Sequence, residues 1–324
     1  MHRAGPTKNG HNVRPMPAPS TRPNAVAVEL NAVLVALIDE EPKVLTLEDG
    51  ALLPSGPFET DHPTLQAGLR GWVERQTHHP LGYVEQLYTF ADRYRESAMG
   101  YRIVSISYLG LTRERAVAGQ HEPGWQSFYR YFPWEDWREG PPRLVASAIL
   151  PRLKDWADAA SDEAKHERRR RVDGNFDLSA WNEDLVLQRY ELLYEAGLVP
   201  EAGRPRKPVA DPVPGEPMRY DHRRILATGI ARLRAKIKYR PVVFELMPPD
   251  FTLGQLQLAV EALAGRRLHK QNFRRLVEQQ GLVEETGVMT AGTGGRPAKL
   301  YRFRREILLE RALAGTKLPL ARPA

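Results

Sequence analysis

The sequence predicts a mixed fold of the α/β (α+β) class that gives way, near its C-terminus, to a helix, a turn, a second helix and a hairpin. Three observations predict it. Alternating strand patterns flank one amphipathic helix in the first 118 residues. A Pro- and Gly-rich stretch, residues 201–217, separates the preceding helices from the end of the chain. From Arg219 to Ala324, 21 Lys and Arg stand against 9 Asp and Glu, a net of +12 in a chain whose total is +7, so the remainder sums to −5. A basic third on a mildly acidic body is the pattern of a polyanion-binding module joined to another domain.

The elements follow in order. Residues 1–24, rich in Pro, Asn, Gly and basic side chains, read as a flexible tail. Two β-branched runs, 32–38 and 43–47, flank Asp39-Glu40-Glu41-Pro42 and form a hairpin. Leu65, Leu69, Trp72 and Val73 fall on one face of a helix over 65–76. Residues 84–90 and 102–111 alternate as strands, and Phe128 to Trp137 is dense in aromatics. Amphipathic helices are expected at 144–156 and 178–197, with a solvated helix, acidic end first, at 161–171 between them. Residues 201–217 form a linker. Asp221 then caps a helix whose apolar stripe is Leu226, Ile230, Leu233 and Ile237, with Arg223, Arg224, Arg232, Arg234, Lys236 and Lys238 on its other face.

Composition excludes several classes. At 324 residues the chain suggests two domains, taking about 150 residues for each. A hydrophobic share of 42% excludes global disorder. Zero cysteines exclude disulfides, thiolate zinc sites and a cysteine nucleophile, and suit a reducing, cytoplasmic setting. No apolar run approaches the roughly 18 residues of a membrane span, and the N-terminus has no secretory apolar core. His78 and His79 are adjacent, so they share no helix face for a metal and read as a solvated loop, and His166 sits in a charge run facing water. No phosphate-cradling glycine loop and no nucleophile elbow occur.

The C-terminal module is the most informative stretch. Thr252 and Gln255 make a capping box ahead of Leu253, Leu256 and Val260, and this helix ends near Gly265. A second helix runs from Lys270 to about Gln280, burying Phe273, Leu276 and Val277. Gln271, Arg274, Arg275 and Glu278 share another face, with Asn272 beside them. A short strand, a glycine-rich turn at 291–295 and a returning strand at 299–304 complete the plan of a winged helix-turn-helix. The second helix suits a major groove about 12 Å wide, where Lys270, Gln271, Asn272, Arg274 and Arg275 meet base edges and phosphates. Arg296 at the wing tip is placed to enter a minor groove, and Lys299 and Arg302 to meet phosphates.

The segment from Gly56 to His78 resembles the Nudix box, G-x5-E-x7-R-E-U-x-E-E-x-G-U, in which glutamates hold a divalent metal against a pyrophosphate. Gly56, Arg70, Trp72 and Glu74 match. His62, Gly71, Arg75, Thr77 and His78 replace three glutamates, the glycine and an apolar residue. An arginine in place of a ligand glutamate puts positive charge where the metal would sit, which argues against hydrolysis. Further stretches extend the likeness: Tyr83 to Phe90, Val104 to Tyr108, Tyr220-Asp221-His222, Phe244-Glu245-Leu246, Asn272-Phe273-Arg274-Arg275 and Gly295 to Phe303. Together they resemble the Nudix-related transcriptional regulators, in which a Nudix-like domain senses a ligand and a winged helix binds an operator.

The resemblance implies a Nudix-like α/β/α sandwich and a set of boundaries. These are a tail at 1–24, a sensing domain at 25–137, a helical insertion with linker at 138–218, a helix at 219–240 completing the sensing domain, a winged helix at 241–310 and a tail at 311–324. The aromatic segment 128–137 would be the strand before the insertion. Arg70 and Glu74 would line the former catalytic cleft, with Glu85, Gln86 and Arg102 as further pocket residues. The implied protein is a cytoplasmic homodimer that regulates genes of NAD metabolism, binds a double-stranded DNA operator and takes ADP-ribose or a related nucleotide as effector. It needs no cofactor and no metal and has no catalytic residue. The alternatives are a residual pyrophosphohydrolase acting on a nucleoside diphosphate derivative, and a winged helix that binds protein.

Overall fold

The computed structural model describes residues 26–79, 81–91, 101–113, 124–203, 208–290 and 297–306. The tails, the wing tip at 291–296 and so Arg296 lie outside the described residues.

The body is built on β1 (Val26–Ile38), the central strand of a six-stranded sheet. β2 (Glu41–Thr46) returns through Asp39 and Glu40, both at positive φ, the turn whose twist suits a two-residue hairpin. β3 (Ser55–Pro57) pairs with the first half of β1. α1 (Leu65–Thr77) starts at Thr64, whose hydroxyl accepts the Ala67 N–H. β4 (Tyr83–Phe90), β5 (Arg102–Leu111) and β6 (Gly124–Ser127) follow, in the order β4-β5-β1-β2-β6. β1 and β5 are parallel.

β1 is buried on both faces, so its alternation sorts two cores. Leu30, Ala32 and Leu34 pack with Leu69 and Val73 of α1. Val33 and Val35 join a second cluster with Leu226, Ile230 and Leu233 of α6 (His222–Tyr239). The two helices therefore cover opposite faces. α6 comes so close that a Cβ on Gly229 would lie 2.8 Å from Val33.

One position breaks the pattern. Asn31 has no exposure and lies level with Ser107 on β5, yet its amide nitrogen and oxygen find no partner among the described residues. An unsatisfied buried amide costs about 1–3 kcal/mol. Asn31→Val is therefore expected to raise stability by about 1 kcal/mol, read as a higher urea midpoint at unchanged slope.

Residues 128–137 correct one expectation. They are not a strand. β6 ends at Ser127, whose hydroxyl accepts the Tyr129 N–H and opens α2 (Phe128–Tyr131), and Pro133, which has no N–H, starts a short 3-10 turn. Phe128, Tyr131, Phe132 and Trp134 are all buried. A π-helical turn at Val145–Ile149 leads into α3 (Leu150–Asp158), followed by α4 (Asp162–Asn175) and α5 (Val186–Glu195). His166 is exposed as expected, but His79 is not in a solvated loop: it is 4% exposed, with its ring against Trp125.

α6 also departs from its expected face. Arg223 and Arg234 are 0% and 2% exposed. They stand i−3 to Leu226 and i+4 to Ile230, on the apolar stripe itself. Asp221 occupies the cap position without a side-chain capping bond.

The C-terminal module consists of β7 (Asp250–Phe251), α7 (Leu253–Ala264), α8 (Lys270–Gln279), β8 (Val283–Met289) and β9 (Lys299–Phe303), its sheet ordered β7-β9-β8. The Thr252–Gln255 capping box forms in full. Of the expected buried face of α8 only Val277 is buried, while Phe273 is half-buried and Leu276 is 51% exposed. The reason is geometric: Phe273 and Leu276 border a groove against Ile237, Tyr239 and Pro241 at the end of α6, which no described side chain fills. Apolar side chains of the α6 side of the sheet, α3 to α6 and the winged helix form one continuous core. No helix among the described residues is long and apolar enough to cross a membrane.

Candidate nucleic-acid interface and ligand cleft

α8 presents Lys270, Gln271, Asn272, Arg274 and Arg275 to solvent. Gly265, at φ 74, ends α7 and lets the chain turn into Arg266 to His269 before α8 begins. A cleft of 540 Å³ separates Lys270, Arg274 and Glu278 of α8 from Lys299 and Tyr301 of the wing strand. Lys299 is bonded to Glu285 at 2.8 Å and Arg302 to Asp250 at 2.9 Å. Such exposed pairs hold at most about 1 kcal/mol, so a phosphate can take either cation. The described face thus combines bidentate donors on a helix with cations on the wing.

Behind α8, the winged helix is fastened to the body by buried charge. Glu135, Arg189 and Arg234 are 1%, 0% and 2% exposed. Arg189 grips both Glu135 oxygens, Nε to Oε1 at 2.6 Å and Nη2 to Oε2 at 2.9 Å. Arg234 Nη1 reaches Oε2 at 2.6 Å and its Nε donates to the Leu263 carbonyl at 2.9 Å. None of these three was singled out as functional from sequence. The one available signal was the place of Arg234 on the apolar stripe of α6.

The Tyr129 hydroxyl donates to the Ala262 carbonyl at the end of α7. Burial pushes its pKa up to about 12. An unfolded tyrosine titrates near about 10, so between these values the folded chain holds a proton that the unfolded chain has lost. This stabilisation is complete below pH of about 10 and disappears as pH rises towards about 12, a loss of about 3 kcal/mol. Tyr129→Phe is expected to be less stable at neutral pH and to lose less on going from pH of about 9.5 to about 12, as measured by denaturant unfolding across that range.

The five expected ligand residues do not converge. Arg70 donates to the carbonyls of Leu81 and Gly82, tying α1 to the start of β4. Glu74 is exposed on α1, and Arg75 beside it lies 4.4 Å over the Trp72 ring. That ring donates its N–H to the Pro57 carbonyl at 2.8 Å and covers Gly56 so closely that a Cβ there would strike it. Glu85 faces the α6 side instead, bonded to Tyr83 and Lys236. Gln86, the next residue, is exposed. Arg102 lies at the other end of the β4–β5 pair, donating to the Ala91 carbonyl at 2.7 Å. Strand alternation explains the split between the faces, and strand length separates Glu85 from Arg102. Among the described residues, Glu59, Asp61 and His62 place ligand-type atoms within 4.8 Å of one another, but His62 Nδ1 already accepts the Glu59 N–H at 3.0 Å.

Comparisons with known proteins fit this arrangement. Residues 243–303 match the NrtR DNA-binding winged helix domain. A stretch of 84 residues, 26% of the chain, is 44% identical to the ADPR responsive transcriptional repressor NtrR of Acinetobacter baylyi. It spans 33% of that protein, so the chain covers about a third of the length of this curated relative. The crystal structure of Shewanella oneidensis NrtR superposes with a TM-score of 0.52 at 20% identity, over 86% of this chain and 94% of that one, a likeness of fold. The chain thus shares the α/β fold of that protein, and its C-terminal module matches the NrtR DNA-binding winged helix domain.

Proposed function

We propose that the protein is a cytoplasmic, ADP-ribose-responsive transcriptional repressor of NAD-metabolism genes that binds its operator as a homodimer. The observation that carries this reading is the solvent-facing row of α8, with Gln271, Asn272, Arg274 and Arg275, inside a module that matches a DNA-binding winged helix. The effector assignment is supported by the name of the Acinetobacter relative. Arg70 and Glu74 on α1 remain the candidate effector contacts, and Arg296, Lys299 and Arg302 the candidate wing contacts. The hydrolase alternative is not favoured: of the glutamates of the Nudix box only Glu74 keeps its place.

The test is a titration of the purified protein against promoter fragments upstream of its own and neighbouring genes, with and without ADP-ribose, at two salt concentrations. Tight binding to one fragment, loosened by ADP-ribose, is expected. Binding indifferent to ADP-ribose would remove the effector, and only weak, sequence-blind, salt-sensitive binding would remove the regulator.

A further inference from the structure

The helical block 138–218 reaches the joint between body and winged helix at several points: Glu183 meets Arg266 at 3.4 Å, Glu139 meets Arg267 at 2.8 Å, and Arg189, the most deeply buried of the three, grips Glu135. The last turn of any helix leaves carbonyls without intrahelical partners. At the end of α7, three of these carbonyls are taken by the body. Tyr129 donates to Ala262 at 2.5 Å, Arg234 to Leu263 at 2.9 Å, and the Trp137 N–H to Gly265 at 2.7 Å. Gly265 is so tightly enclosed that a Cβ would meet the Glu135 carbonyl and the Arg234 guanidinium. Glu135 sets Arg234, and Arg189 sets Glu135 through its two-toothed grip. Arg189 is itself fixed by donating to the carbonyls of Asn175 and Asn182 and by lying 3.6 Å over Trp181. Trp181 in turn stacks on Trp137 at 4.1 Å.

We infer that Arg189 is a positioning residue for DNA binding: through Glu135 and Arg234 it fixes the pose in which the body presents α8. The inference rests on the DNA-binding reading above and gives the block 138–218 a role on the DNA side. A planar guanidinium gripping a carboxylate at two points sets orientation as well as distance. All three charged groups are out of water, so no solvent molecule replaces a lost tooth. The turn from Arg266 to His269 then carries that pose directly into α8.

The test uses the full chain with Arg189→Met. Glu135 and Arg234 remain as a neutral pair, so no buried charge is stranded. Trp181→Leu, which removes the stack under Arg189, is the milder second variant, and Arg189→Lys keeps charge without the fork. Two readouts are taken: hydrogen exchange of the Trp137 amide, which spans the joint, and operator affinity. The expected result is at least about tenfold faster exchange at Trp137 with amides in the middle of α7 unchanged. Operator affinity should fall by about tenfold with ADP-ribose affinity intact, and Arg189→Lys should restore little of it. Wild-type protection of Trp137 in the folded variants would overturn the inference. So would exchange quickening equally throughout α7, which is the mark of general destabilisation, or operator affinity that survives a loosened Trp137. The exchange readout needs no DNA. A wild-type protein that binds no operator would sink the DNA-binding reading by itself.

Discussion

Glu135→Ala is expected to destabilise the protein by about 3–5 kcal/mol, because it leaves Arg189 and Arg234 facing each other without their shared counter-ion. The carboxylate is 1% exposed and its partners 0% and 2%, so water cannot enter to compensate. The loss compares with a total stability of about 5–15 kcal/mol for a domain, so the variant would be marginal at 37 °C. The larger part of the effect is the stranded charge rather than the worth of the pair. A control follows from that: Glu135→Ala combined with Arg189→Met should recover part of the loss, since one buried charge has gone with its partner. Urea unfolding at pH 7 measures both. A loss below about 1 kcal/mol for the single variant would mean that the three groups are hydrated in solution.

Arg275→Ala is expected to weaken operator binding by about 1–3 kcal/mol, a factor of roughly 5 to 150, if its fork reads a base edge. Arg275 points away from Val277, the buried side of α8, and Gln271 stands one turn before it on the same face. Neither has a described ion pair that binding must break. The comparison with a scrambled duplex separates base reading from phosphate attraction. A base-reading arginine loses affinity for the operator and little for the scrambled duplex. A phosphate contact weakens both and lowers the salt slope by about one. Fluorescence anisotropy on both duplexes at several salt concentrations decides, and unchanged operator affinity in a folded variant would remove α8 as the recognition helix.

Most of the secondary structure was legible because it is written in local periodicity. The β1–β2 hairpin, α1, β4, β5, the Thr252–Gln255 cap and α8 all follow from spacing that neighbouring residues impose on one another. The exposed row from Lys270 to Arg275 was legible for the same reason: a helix sorts its own faces. Residues 128–137 were not, because aromatic density describes a strand and a buried elbow equally well until the neighbours are known. The proposed cleft residues fared differently. Arg70, Glu85 and Arg102 each found a partner within the body, and no single-element pattern shows that they point to different places.

The sequence by itself determined the class of the fold, the winged helix at its end and the row of side chains that can face DNA. These depend on contacts within a few residues, where geometry is set by the backbone. Only the tertiary structure decided that Arg223 and Arg234 lie inside, that Glu135 joins α5 to α6, and that α7 ends on body donors. A charged residue is buried or exposed according to whether a distant partner of opposite sign arrives to replace its water. Glu135 and Arg234 are 99 residues apart in the chain, so no reading of either neighbourhood contains the other.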